Sequence, residues 1–308
     1  MRALALILGF ILSLHWVGAQ EVIRVTWPTS HASPPATIPH TSSQELSAIR
    51  LGLLVLSESN AVQLAMDDAS TLGISEDDVR NLQHLFGERY RIIQNDRVFC
   101  NVASALPYCF SAQTPTQGLA LVYCPKKLDP GLPALVFLHG YGGSFLWTQQ
   151  LLAEAFPDRL IICPAFGISS ALMPPAYLSE CLQAVEKNRS QPIKTPVLIG
   201  LSAGGFGACR IYVQSPKQFS RLIVLAAYPP AETLGRFNKQ MSVRFLTGAK
   251  EDYVQSGLFV RCMQSIRPRA GDLQFQTVPD GDHFFLLAKK DHTLSILRAW
   301  LETPGSKN

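Results

Sequence analysis

The chain is predicted to be an α/β protein: a mostly parallel, eight-stranded sheet with helices on both faces and a small helical N-terminal extension. Three observations predict it. After Arg89, short apolar runs alternate with segments of helical period, the pattern of strands joined by crossover helices. The runs are apolar at nearly every position rather than every second one, as strands covered on both faces must be. One of them, Pro196-Val197-Leu198-Ile199, enters Gly200-Leu201-Ser202-Ala203-Gly204, a G-x-S-x-G turn between a strand and a small-residue helix start.

The 308 residues are 47% hydrophobic and 16% charged, ordinary globular composition that can bury one large core with an appendage. The formal net charge of +4, one less if Arg2 is removed, gives no basic field for a nucleic-acid partner.

Residues 1–19 combine Arg2, an apolar stretch from Ala3 to Leu14 and Val17-Gly18-Ala19. They read as a secretory signal cut before Gln20, with a secreted or periplasmic destination. The apolar run falls short of the ~20 residues of a membrane span, so no stable membrane insertion is expected after cleavage.

Residues 20–43, rich in Pro, Ser and Thr from Thr26 onward, read as a linker. Residues 44–88 are expected to be a helical extension padding the sheet edge, with covering of the site mouth as the alternative. Its first helix, 44–57, carries Leu46, Ile49, Leu53 and Leu56 behind a Ser42/Glu45 capping box. Leu51 to Leu56 also suits a strand. The second helix, 76–86, has Ser75 as cap, Glu76, Asp77 and Asp78 in its first turn, Val79, Leu82, Leu85 and Phe86 on one face, and Gly87 past its end.

The main domain is expected over 89–302, before a tail at 303–308. Its strands are Arg91–Ile93, Leu119–Cys124, Ala134–Leu138, Leu160–Cys163, Val197–Leu201, Leu222–Leu225, Val243–Leu246 and Leu273–Val278, with helices at 177–187, 204–214, 253–266 and 291–302. The short path from the Leu222 strand to the Val243 strand leaves no room there for a large lid. Seven cysteines lack metal-ligand spacing, so no structural zinc is expected. In an oxidising compartment some would pair, with Cys100 and Cys109 the most local candidates. Cys209 reads as a small buried hydrophobe.

Chemistry gathers at strand ends. Leu135-Val136-Phe137-Leu138 runs into His139-Gly140-Tyr141-Gly142-Gly143, a turn that can aim backbone N–H groups at a developing negative charge. His139 is expected to support that turn rather than act as a base. His283, in Pro279-Asp280-Gly281-Asp282-His283, follows a strand and sits in a polar loop, whereas the later His292 falls in a surface helix. A third strand ends in Gly248-Ala249-Lys250-Glu251-Asp252-Tyr253, which offers two adjacent carboxylates.

Strand order, HGYGG, GLSAGG, the acidic turn and GDHFF together resemble a serine hydrolase of the α/β-hydrolase superfamily, from about Arg89 to Trp300. The lidless layout and LIGLSAGGFGA are similar to secreted carboxylesterases related to polyhydroxyalkanoate depolymerases, feruloyl esterases and dienelactone-hydrolase-like proteins. Residues before Arg89 take no part in the resemblance. It implies Ser202 as nucleophile, His283 as base, and the N–H groups of Tyr141 and Ala203 as oxyanion donors. The shorter side chain favours Asp252 as the acid. Spacing within the motif favours Glu251, and Asp252 is taken as the expectation.

The implied activity is hydrolysis of a small-molecule or polymer ester through an acyl-enzyme, without metal or organic cofactor. The same triad serves serine peptidases of the prolyl-oligopeptidase type, and the fold also serves catalytically silent binding proteins. Pocket walls are expected from Tyr141–Phe145, Phe166–Tyr177 and Tyr228–Phe237.

Overall fold

The computed structural model describes residues 20–38, 41–67, 76–143 and 145–302. The expected leader at 1–19, the Ser75 cap and the tail at 303–308 lie outside the described residues, as do the side chains of Glu76, Asp77 and Asp78.

Eight strands form one sheet: β1 (Glu21–Pro28), β2 (Gln117–Cys124), β3 (Leu135–Leu138), β4 (Ile161–Ala165), β5 (Val197–Leu201), β6 (Arg221–Leu225), β7 (Ser242–Gly248) and β8 (Asp272–Val278). Their order is β1-β2-β4-β3-β5-β6-β7-β8. β2 pairs antiparallel with both β1 and β4, and every other pairing is parallel. The chain leaves β3 for β4 on one side and returns to place β5 on the other. A crevice therefore opens beyond the carboxyl ends of β3 and β5, where ligands bind in open α/β sheets.

The continuous apolar runs are explained by burial on both faces. Leu135 and Phe137 of β3 and Val197, Ile199 and Leu201 of β5 feed one core. Val136 and Leu138, with Leu198, feed the other. The first face is covered by α3 (Glu76–Asn95), α5 (Leu146–Ala155) and α11 (Lys290–Glu302). The second is covered by α6 (Pro175–Arg189), α7 (Ala203–Gln214) and α9 (Leu258–Ile266).

The N-terminal part departs from expectation twice. The eighth strand is not Arg91–Ile93 but Glu21–Pro28, inside the expected linker. Val25 and Trp27 point inward from β1, and Trp27 lies opposite Gly118, where any Cβ would strike the indole. Residues 91–93 instead belong to α3, which runs straight through Gly87. Leu82, Phe86, Tyr90 and Ile93 recur at helical spacing and are buried, while Ile92 is exposed. Their burial outweighs the roughly 1 kcal/mol that a mid-helix glycine costs.

The first extension helix, α1 (Ser43–Leu53), has the expected capping box: Ser42 accepts from the Glu45 N–H, and the Glu45 carboxylate accepts from the Ser42 N–H. Next come α2 (Glu58–Asp67) and the short α4 (Leu106–Cys109), and a second short helix, α10 (Phe285–Ala288), precedes α11. The expected helix 253–266 is broken at Gly257, whose φ of 72° separates α8 (Asp252–Gln255) from α9. All seven cysteines are free, so the Cys100–Cys109 pair is not formed. Cys209 is buried, as read from its surroundings.

Candidate active site

Ser202 stands between β5 and α7 with φ 54° and ψ −121°. A non-glycine residue held there is strained, at a cost on the order of 1–3 kcal/mol. Neighbouring backbone holds it: the Ser202 N–H donates to Leu225 O at 2.8 Å, and its own carbonyl accepts from the Gly205 N–H at 2.8 Å. Close approach explains the flanking glycines. A Cβ on Gly200 would strike the Gly204 carbonyl, and one on Gly204 would strike the carbonyl of Leu138.

The His283 Nε2 lies 2.9 Å from Ser202 Oγ, and its Nδ1 lies 2.9 Å from Glu251 Oε1. A carboxylate only accepts, so Nδ1–H donates to Glu251 and Nε2 is left to accept the Ser202 hydroxyl proton. Two backbone bonds stitch the loops that carry them. The Ala249 N–H donates to Val278 O at 3.0 Å, and the Lys250 N–H donates to Gly281 O at 2.8 Å. Asp282 shapes the histidine loop by accepting from the Phe284 N–H at 2.8 Å. His292 is exposed on α11.

Asp252, the expected acid, is corrected by this arrangement. With residues 249 and 250 tied to the end of β8, Glu251 faces His283, and its side chain is 9% exposed. Asp252 opens α8 and faces solvent, where a first-turn carboxylate suits the helix dipole.

The turn after β3 stands against the serine. A Cβ on Gly140 would lie 3.4 Å from Ser202 Cβ and 4.0 Å from its Oγ. His139, fully buried, supports this turn as expected. Its Nε2 accepts the Phe166 N–H at 3.2 Å, so its Nδ1–H donates to Gly140 O at 2.8 Å. Burial pushes its pKa down to about 4, which keeps the ring neutral.

The Gly142 N–H donates to Ile168 O at 2.7 Å. The Tyr141 peptide is thus held from both sides, with its side chain in solvent. Ala203 is the first residue of α7, so its N–H is one of those a helix leaves without an intrahelical acceptor. A hydroxyl polarised in this way can attack a carbonyl, and a helix-start N–H such as that of Ala203 is of the kind that stabilises the resulting oxyanion.

The residues expected in the pocket walls divide between core and surface. Phe166, Met173 and Tyr177 are buried in the second core, with Phe166 and Tyr177 ring centroids 5.1 Å apart. Tyr228 is half-buried between Phe206, at 5.3 Å, and Tyr253, at 5.0 Å. Sequence reasoning did not place Tyr253 in this aromatic row; its hydroxyl lies 2.5 Å from Thr247 Oγ1. Its only signal was its place next to the acidic pair. A cavity of about 230 Å³ beside β1 and β2 is lined by Gln20, Val22, Arg97, Val98 and others, and by none of Ser202, Glu251 or His283.

The family model described as alpha/beta hydrolase fold matches residues 133–282. A pimeloyl-[acyl-carrier protein] methyl ester esterase from Pseudoalteromonas atlantica is 32% identical over 104 residues, covering 32% of this chain and 38% of that protein. A 2-succinyl-6-hydroxy-2,4-cyclohexadiene-1-carboxylate synthase from Citrobacter koseri is 35% identical over 104 residues, covering 33% and 41%. The chain thus spans about two fifths of the length of these curated relatives.

Among solved structures, a naproxen esterase from Bacillus subtilis aligns with a TM-score of 0.44 and 10% identity, over 60% of this chain and 88% of that one. A poly(3-hydroxybutyrate) depolymerase from Bordetella parapertussis aligns at 0.48 and 16%, over 62% and 86%.

Proposed function

Because the chain belongs to the α/β-hydrolase superfamily, we propose that it is a serine esterase, with Ser202 as nucleophile, His283 as general base and Glu251 as the acid. The observation that carries this reading is the unbroken relay from Glu251 through His283 to Ser202, with 2.9 Å at each step.

In the proposed reaction, Ser202 Oγ attacks an ester carbonyl as its proton passes to His283 Nε2. Glu251 keeps the imidazole in the required tautomer and stabilises the imidazolium that forms. The oxyanion meets the N–H groups of Tyr141 and Ala203, each worth roughly 3 kcal/mol by analogy with mutated serine hydrolases. His283 then returns the proton to the leaving alcohol. Water, activated by the same ring, cleaves the acyl-enzyme.

The substrate is proposed to be a small-molecule or polymer ester, with the row of Phe206, Tyr228 and Tyr253 as one apolar wall. Export is proposed from residues 1–19 alone, and N-terminal sequencing of the mature protein at Gln20 tests it. Among the described residues, no helix is long and apolar enough to cross a membrane.

Initial rates on p-nitrophenyl esters of increasing acyl length, set beside aminoacyl p-nitroanilides, test the activity. Ester turnover is expected to exceed anilide turnover by at least about 100-fold in kcat/KM. Preference for the anilide would replace the esterase reading by a peptidase.

A further inference from the structure

The geometry points to Glu58, on the N-terminal extension, as a positioning residue for the turn that carries the Tyr141 N–H; the inference rests on the serine-hydrolase reading. Glu58 opens α2 and is 3% exposed. A carboxylate is held at such depth only where its oxygens are hydrogen-bonded. Oε1 accepts from the Tyr90 hydroxyl of α3 at 2.9 Å and from the Leu146 N–H at 2.9 Å. Oε2 accepts from the Ser104 hydroxyl at 2.8 Å.

Leu146 is the first residue of α5, and Phe145 before it provides no side-chain cap. Glu58 therefore supplies, from 88 residues away, the acceptor that a local Ser or Asp gives most helices. Its charge also lies at the positive end of the α5 dipole.

The end of α5 that Glu58 holds is where the reacting turn finishes. The Phe145 ring stacks on His139 with centroids 5.4 Å apart and planes at 21°. His139 in turn holds Gly140 O, beside Ser202. The turn is also touched from α4, which Glu58 reaches through Ser104: a Cβ on Gly143 would lie 2.7 Å from Cys109 Cβ. Ser104 links the two contacts, donating to Glu58 and accepting from the Leu106 N–H at the start of α4. One carboxylate thus ties α2, α3, α4 and α5 around the turn, a role beyond padding the sheet edge.

Glu58→Gln keeps the shape but turns one acceptor into a donor that faces donors. Ser104→Ala and Tyr90→Phe each remove one donor and leave the carboxylate on Leu146. The readouts are amide hydrogen exchange, kcat and KM on p-nitrophenyl acetate, the pH–rate midpoint and thermal stability.

In Glu58→Gln, residues 139–146 are expected to exchange about tenfold faster, while the loop around His283 is unchanged. The value of kcat falls about tenfold, with KM and the pH–rate midpoint unmoved, as for a displaced oxyanion donor. Wild-type exchange over 139–146 and wild-type kcat in folded Glu58→Gln would overturn the inference, even if thermal stability fell.

If Glu58→Gln does not fold, the other two variants decide. Each should speed exchange at 139–146 about threefold, and unchanged exchange in both overturns the inference. Exchange does not depend on catalysis, so an inactive wild type would refute only the esterase reading and leave the positioning role to be judged by exchange.

Discussion

Glu251 Oε1 and His283 Nδ1 stand 2.9 Å apart across 32 residues of sequence, while Asp252, next in the chain, faces solvent at the head of a short helix. The two carboxylates differ in consequence because the β7 turn is anchored to the end of β8, which fixes which residue looks at the ring.

Exchanging each acid for its amide separates them. Glu251→Gln should lower kcat on p-nitrophenyl acetate by about 10³-fold or more, because an amide no longer selects the tautomer that leaves Nε2 free. Asp252→Asn should stay within about twofold, as expected of an exposed charge. The reverse pattern in steady-state kinetics would reinstate Asp252.

His139 makes stability depend on pH. Burial lowers its pKa to about 4, against about 6.5 in the unfolded chain. Between those values the unfolded state takes up a proton that the folded state does not. Stability is therefore present above pH 6.5 and lost as pH falls towards 4, by on the order of 3 kcal/mol. Urea midpoints at pH 7 and pH 4.5 should fall further for the wild type than for His139→Gln. Parallel losses would show that the ring is not held neutral.

The two kinds of glycine predict opposite outcomes. A Cβ on Gly87, within α3, meets nothing within 4 Å, so Gly87→Ala should stabilise the protein by about 0.5–1 kcal/mol in chemical denaturation. A Cβ on Gly204 meets the carbonyl of Leu138, so Gly204→Ala should cost about 3 kcal/mol or more. A neutral Gly204→Ala would mean that β3 and α7 are not so closely packed.

The thiols provide a further check. Cys100 is exposed, and the other six cysteines are buried, with burial pushing the Cys109, Cys163, Cys181 and Cys209 thiols up. Ellman's reagent should find one fast thiol in the native protein and all seven after denaturation without reductant. A shortfall by a pair would indicate a disulfide.

The core strands and the Ser202–His283 pairing were legible because their signals are local: continuous apolar runs, and glycines that only a tight strand–helix turn requires. The parts that were not legible depend on distant contacts. Residues 91–93 read as a strand because the run is short and Ile92-Ile93 is β-branched, yet Tyr90 and Ile93 meet the core one and two helical turns on from Phe86. The strand Glu21–Pro28 had its own alternation in Val25 and Trp27. Its proline-rich sequel obscured it, and what makes it a strand is its partner Gln117–Cys124, with Gly118 vacating space for Trp27.

The acid register is set by backbone bonds between residues 249–250 and 278–281; motif spacing points to Glu251 and side-chain length to Asp252, and only those distant bonds decide between them. Glu58 gave no signal at all, since its meaning lies in an N–H 88 residues away.

Labelling folded protein with a fluorophosphonate, followed by peptide mass spectrometry, decides whether Ser202 is an activated nucleophile. A single adduct on Ser202 is expected, with ester hydrolysis lost in step with labelling and absent from Ser202→Ala. Folded protein that takes no label, or ester hydrolysis that survives Ser202→Ala, would contradict that role.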